Sequence, residues 1–251
     1  MCRLMGFVSK TENSFPNIVG ENFEQFTALS ARHGDGWGIS TCSQDGHSTL
    51  LVEPAQAKES ALFSNATKNI QTDGALLHLR WATGTLSIKE GNTHPFTFND
   101  FSFIHNGAVF PPESLDPFIN PSYLSNQRGE TDSERYFFLM MTEIGKLGVE
   151  AGVHSAVTTI RDHCVYSSIN AMLLTPAELY VINEHNDSRI PKGESADYYD
   201  LFYTATDDDV LVASSGWDQP QWKAIANNTI TKIDRKTLLI TQKDLRIQRE
   251  M

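Results

Sequence analysis

The chain has 251 residues, of which 40% are hydrophobic and 20% charged, and its net charge is −11. That length fits one large domain or two small ones, and the composition reads as an ordinary water-soluble globule with a full core. The acidic balance, without any run of Lys or Arg, argues against nucleic-acid partners, and no stretch of 18 apolar residues suggests a membrane span.

In chain order, Arg3 to Ser9 reads as a short strand. Glu21 to Arg32 carries Phe23, Phe26 and Leu29 at helical spacing, with Gly34 where a C-terminal stop belongs. Gly36 to Cys42 and Ser48 to Glu53 read as a hairpin turning at Gln44-Asp45-Gly46. Ala55 to Ile70 reads as a helix and Ala75 to Ala82 as a strand. Phe101 to His105 and Ala108 to Phe110 flank Asn106-Gly107, the strongest short hairpin signal, and Pro111-Pro112 ends that unit.

Thr131-Asp132-Ser133-Glu134 has the form of a capping box and opens a helix that continues through Tyr136 to Leu147. A second helix is predicted over Gly152 to Cys164. Strands return at Ile169–Thr175, Glu178–Asn183, Leu201–Ala205, Val210–Ser214 and Thr229–Ile233, and a last hairpin turns at Asp234-Arg235-Lys236. The polar stretch Glu184 to Asp200 reads as a mobile surface loop. Asp207-Asp208-Asp209 reads as a polar turn, because a calcium loop would alternate its acids and carry a glycine. Strands in blocks, separated by two adjacent helices, point to an α+β fold of antiparallel sheets packed with helices.

Cys2 is the residue with the most chemistry. If the initiator methionine is removed, one residue carries a thiol nucleophile and a free α-amine whose ordinary pKa is about 7.7–8.0. Such an amine is a base for its own side chain. The alternative is a small apolar residue opening a buried strand. Cys42 and Cys164 sit in apolar patterns and read as buried. Three widely spaced cysteines make neither a disulfide framework nor a metal pair, so a reducing, cytoplasmic setting is expected.

Five further segments stand out. They are His33-Gly34-Asp35-Gly36-Trp37-Gly38, His78-Leu79-Arg80-Trp81-Ala82-Thr83-Gly84, Asn92-Thr93-His94-Pro95-Phe96, His105-Asn106-Gly107 and Glu130-Thr131-Asp132-Ser133-Glu134. Arg80, near the end of an apolar strand, either holds a carboxylate by two parallel hydrogen bonds or covers apolar surface and pairs with an acid. Asn106-Gly107 is either a turn or a pair of donors aimed at one oxyanion. Asp132 in the first turn of a helix complements the helix dipole whatever else it does. The Asp35 to Gly38 stretch suggests a tight backbone near a site. His78, His94 and His105 lack metal-ligand spacing and read as supporting groups, His105 orienting the Asn106 segment; no metal is expected.

In this order behind Cys2, the five segments resemble the class II glutamine amidotransferases, over roughly positions 2 to 135. The opening Met-Cys-Arg-Leu-Met-Gly and the Asp-Gly-Trp-Gly stretch look most like the stand-alone branch, similar to the γ-glutamyl hydrolases of ergothioneine biosynthesis and glutathione breakdown. The resemblance implies a four-layer α-β-β-α sandwich, the fold of N-terminal-nucleophile hydrolases, as one domain over 2–251. It implies that Cys2 attacks a γ-glutamyl amide and forms a thioester, with Asn106 and Gly107 holding the oxyanion. Arg80 and Thr83 would grip the α-carboxylate of the substrate and Asp132 its α-ammonium. Synthase members carry a His after the matching Thr; Gly84 stands there, so one carboxylate contact is missing or replaced. No metal or organic cofactor is expected. A small γ-glutamyl compound is the expected partner, with a separate synthase, or a homodimer through a helix or sheet face, left open. A glutaminase subunit feeding ammonia to a synthase, and a non-catalytic glutamyl-binding module that retains Met1, are the alternatives.

Overall fold

A computed structural model describes residues 2–43, 48–82, 84 and 86–246. The predicted turn at Gln44-Asp45-Gly46, the candidate Thr83 and the leading Met1 lie outside them.

The chain opens with β1 (Arg3–Asn13), followed by the short helices α1 (Phe15–Val19) and α2 (Phe23–Ala28). Next come β2 (Trp37–Cys42), β3 (Ser48–Glu53), α3 (Ala61–Asn69) and β4 (Thr72–Leu79). The middle of the chain forms β5 (Phe96–Phe98), β6 (Phe101–Phe110) and α4 (Pro121–Leu124). The two longest helices, α5 (Asp132–Leu147) and α6 (Val149–His163), follow directly. The chain then runs through β7 (Val165–Leu174), β8 (Glu178–Asn183), β9 (Leu201–Ala205) and β10 (Asp209–Ser214). It finishes with β11 (Lys223–Ala224), β12 (Thr229–Asp234) and β13 (Ile240–Asp244).

Two antiparallel sheets stack face to face. One has seven strands in the order β11-β9-β10-β1-β4-β2-β3, and the other six, β13-β12-β8-β7-β6-β5. Three apolar layers hold the stack together. Met5, Phe7, Leu77 and Leu79 pack outward with Phe15, Phe23, Phe26 and Phe63 of α1, α2 and α3. Leu4, Val8, Leu76, Ile104, Met172 and Val212 fill the space between the sheets. Phe103, Val109 and Ile169 pack outward with Phe137, Met141, Val153 and Val157 of α5 and α6. The result is an α-β-β-α sandwich. Central strands are covered on both faces, which is why β1 reads as a continuous apolar run where a one-sided strand would alternate.

Two expected elements differ. Ala55–Ile70 is not one helix: Ser60 sits in an extended conformation and caps α3, its side chain accepting from Phe63 N at 3.0 Å. Asn106-Gly107 is not a hairpin turn. Both halves of β6 pair with β7, in a register that includes His105↔Ala171, Asn106↔Asn170 and Gly107↔Ile169. The turn signal is local, whereas straightening the segment gives the whole strand a ladder partner and buries it between α5 and the opposite sheet. Two smaller differences concern burial. Cys164 is half-buried rather than buried. The 184–200 segment is pinned at both ends by buried residues, Glu184 and His185 at one and Tyr198 and Tyr199 at the other.

Candidate active site

The site forms where β1 begins and β4 ends, since Arg3 pairs with Leu79 in the sheet. Cys2 and Arg80 therefore emerge side by side. The Cys2 thiol is half-buried and lies 3.7 Å from the Trp81 carbonyl, to which it donates. Burial pushes its pKa up, against the pull of that hydrogen bond and of the nearby Arg80 and Arg3 cations. A thiol in this state stays protonated at neutral pH and needs a base to become a nucleophile.

Arg80 is 2% exposed, yet its guanidinium donates to backbone carbonyls and not to an acid: Nη1 to Asp35 O and Nη2 to Ser87 O, both at 3.3 Å. Two bonds leave part of a five-donor fork for a ligand. Asp35 locks the loop further. Its Oδ2 accepts from Ala82 N at 2.8 Å, its own N–H donates to Arg80 O at 3.0 Å, and Arg80 N donates to Gly36 O at 2.8 Å. The glycines after Asp35 let another segment approach: a Cβ on Gly38 would stand 2.2 Å from His94 O. Glycine content predicted a tight backbone; the fixing of Arg80 by Asp35 and Ser87 was not predicted, because the contacts join residues 45 and 7 positions apart.

Asn106 is fully buried, and neither its Nδ2 nor its Oδ1 has a hydrogen-bond partner among the described residues. It alternates with Ile104, which packs between the sheets, so its side chain shares the inter-sheet face of β6. Gly107 faces the other way and has no room for a side chain, since a Cβ would meet Ser168 O at 1.8 Å. His78 ties this strand to the Cys2 sheet: its Nε2 lies 3.2 Å from His105 O, and a carbonyl only accepts, so Nε2 carries the proton. Burial lowers the His78 pKa to about 3 and holds His94 well below its ordinary value, so the stacked pair, with centroids 4.1 Å apart, is neutral.

Asp132 is buried at the start of α5, and its Oδ2 accepts from Val109 N at 2.8 Å. A register shift between Ala108 and Val109 accompanies this bond. Thr131 caps the helix, accepting from Glu134 N at 3.1 Å. Glu134 reaches beyond the capping residue to Arg128 N at 2.9 Å and Gly129 N at 2.7 Å. The structure thus places Cys2 beside Arg80 through the β1–β4 pairing, connects the Asn106 strand to that sheet through His78, and attaches Asp132 to the same strand three residues on.

Further residues stand near the nucleophile, of which Arg32, Glu194 and Tyr198 belong to no segment that the sequence singles out for chemistry. Arg3 Nη1 donates to Cys2 O at 3.1 Å and its guanidinium lies 5.0 Å from the Tyr198 ring centroid. Arg32 stands over the Trp81 ring at 4.6 Å and pairs with Glu194.

Comparison with known proteins places the chain in a family. A model of the class II glutamine amidotransferases matches residues 1–172. The chain belongs to that family. A probable glutamine amidotransferase of Saccharomyces cerevisiae, DUG3, is 23% identical over 96% of this chain and 84% of its own length. An uncharacterized Methanocaldococcus jannaschii protein, MJ1515, is 26% identical over 75% of this chain and 52% of its own. Among solved structures, a glutamine aminotransferase class-II domain protein from Silicibacter pomeroyi superposes with a TM-score of 0.67 at 16% identity, over 97% of this chain and 99% of that one. The glutamine phosphoribosylpyrophosphate amidotransferase of B. subtilis superposes with a TM-score of 0.62 at 16% identity; this chain spans 49% of its length. At such identities the structures share the fold. Among the described residues, no helix of this amidotransferase is long and apolar enough to cross a membrane.

Proposed function

We propose that this amidotransferase hydrolyses a γ-glutamyl amide through a thioester on Cys2, in a chain whose Met1 has been removed. The α-amine of Cys2 takes the thiol proton while sulfur bonds to the δ-carbonyl carbon. The carbonyl oxygen becomes an oxyanion held by the Asn106 amide and the Gly107 N–H. Collapse of that intermediate breaks the carbon–nitrogen bond, and the ammonium returns its proton to the leaving amine. Water then adds to the thioester, giving up a proton to the same amine, and glutamate leaves as the thiol reforms. Arg80 holds the α-carboxylate and Asp132 the α-ammonium, so the two charged groups on the α-carbon are each read by an opposite charge.

The observation that carries this reading is the Asn106 amide. A fully buried side chain with two unpartnered polar atoms is costly, and such a cost persists where a ligand relieves it. Burial pushes the Cys2 thiol pKa up, so the thiol needs a base, and the α-amine freed by removal of Met1 is the base this reading names.

The test is a panel of γ-glutamyl amides, glutamine included, with intact-mass measurement of the mature chain. The wild type is expected to start at Cys2 and turn over, and Cys2→Ala to lose at least a thousandfold in kcat. The wild-type kcat/KM is expected to rise with pH through the α-amine range, about 7.7–8.0, because only the deprotonated amine is a base. Turnover by a chain still carrying Met1, or by Cys2→Ala at the wild-type rate, would overturn the reading.

A further inference from the structure

His105 is 1% exposed and stands one position before Asn106, yet its ring points away from Asn106, toward α5. Its Nε2 lies 3.2 Å from the Ser168 carbonyl and its Nδ1 2.8 Å from Ser133 Oγ. The carbonyl fixes the tautomer: Nε2 carries the proton and donates, so in the neutral ring Nδ1 accepts from the Ser133 hydroxyl. Burial lowers the His105 pKa, partly offset by the Asp132 carboxylate, which keeps the ring neutral at physiological pH. His105 is also held by its backbone, through His78 from the opposite sheet.

Ser168 completes the arrangement. Its hydroxyl donates to Asn106 O at 2.9 Å and accepts from Asn170 N at 3.1 Å. Its carbonyl, the one His105 engages, lies where a Gly107 side chain would be. Ser133 follows Asp132, which itself holds Val109 N. Ser168 of β7 therefore holds the Asn106 carbonyl directly, His78 of β4 and Asp132 of α5 hold the backbone on either side at His105 O and Val109 N, and the His105 imidazole joins β7 to α5.

We propose that His105 is a positioning residue, a clamp between Ser133 and Ser168 that holds the Asn106 and Gly107 donors in the geometry of the oxyanion. This rests on the thioester reading above for its catalytic consequence, though not for its effect on the backbone. A group that only positions transition-state donors acts on kcat and leaves ground-state binding alone, whereas a general loss of fold disturbs both.

The test uses the full chain, with glutamine turnover and amide hydrogen exchange measured together. His105→Phe keeps a ring and removes both bonds. It is expected to lower kcat about tenfold or more, hold KM within about twofold, and speed exchange over residues 105–109. His105→Gln, which restores a donor for the Ser168 carbonyl, is expected to recover most of kcat. Ser133→Ala, a milder change, is expected to show the same signature at smaller size, and it decides the matter if His105→Phe does not fold. A folded variant with wild-type kcat, or with wild-type exchange over 105–109, overturns the proposal. If the wild type fails to turn over any glutamyl amide, the thioester reading is what fails, and exchange alone then decides whether His105 clamps the strand.

Discussion

Arg80 shows how a single side chain can be both structural and available. Its two bonds to carbonyls orient the fork without neutralising it, since a carbonyl offsets the desolvation of a guanidinium but brings no opposite charge. A lysine has one point of charge and cannot span Asp35 O, Ser87 O and a substrate carboxylate. Arg80→Lys is therefore expected to raise KM for glutamine at least tenfold, with a smaller change in kcat, as steady-state kinetics will show; an unchanged KM removes Arg80 from the site. In the sequence, Cys2 stands out by its position and chemistry, whereas the place of Arg80 at a strand end leaves two readings open and its proposed role comes from the resemblance to the family. The bonds from Arg80 to the Asp35 and Ser87 carbonyls, and from His105 to the Ser168 carbonyl, were invisible because they end on backbone atoms, for which residue type leaves no signature.

At the scale of elements, β6 is the instructive case. Its Asn-Gly pair carries a strong local preference for a turn, and pairing with β7 from Ser102 to Phe110 and two covered faces override it. The consequence is a glycine chosen by space, not by backbone dihedral. A methyl group on Gly107 would stand 1.8 Å from Ser168 O and 2.4 Å from Ser168 C, and backbone atoms cannot swing aside as a side chain would. Gly107→Ala must therefore separate β6 from β7 locally. We expect a loss of stability of about 1–3 kcal/mol, measured by chemical denaturation, and at least a hundredfold loss in kcat. A variant with wild-type stability would mean that the strands part at no cost, and would remove the steric account. The helix start at Thr131 was legible for the opposite reason: a cap is a local device, and its residues lie next to one another in the chain.

For the whole molecule, the two sheets are joined by polar links at opposite ends of the sandwich. His78 and His105 link them beside the nucleophile. At the far end Arg235, fully buried after β12, donates from Nη1 to Thr175 O and from Nη2 to Asp73 Oδ1, both at 2.8 Å. Asp73 belongs to the seven-stranded sheet and Thr175 follows β7 of the other, so one guanidinium spans the stack. The sequence placed Arg235 in a hairpin turn, which is correct for the chain path and silent about burial, because its partner Asp73 lies 162 residues away. Removing the cation leaves Asp73 and the Thr175 carbonyl without it, and breaking one half of a buried pair costs about 3–5 kcal/mol. Asp73 is 14% exposed and regains some solvent, which places Arg235→Met near the lower end of that range. Converting Asp73→Asn in the same chain removes the stranded charge, so the double variant is expected to recover part of the loss. Urea denaturation of wild type, both single variants and the double variant completes the cycle. An Arg235→Met change costing under about 1 kcal/mol would show that the apolar layer between the sheets holds this end of the sandwich without the arginine.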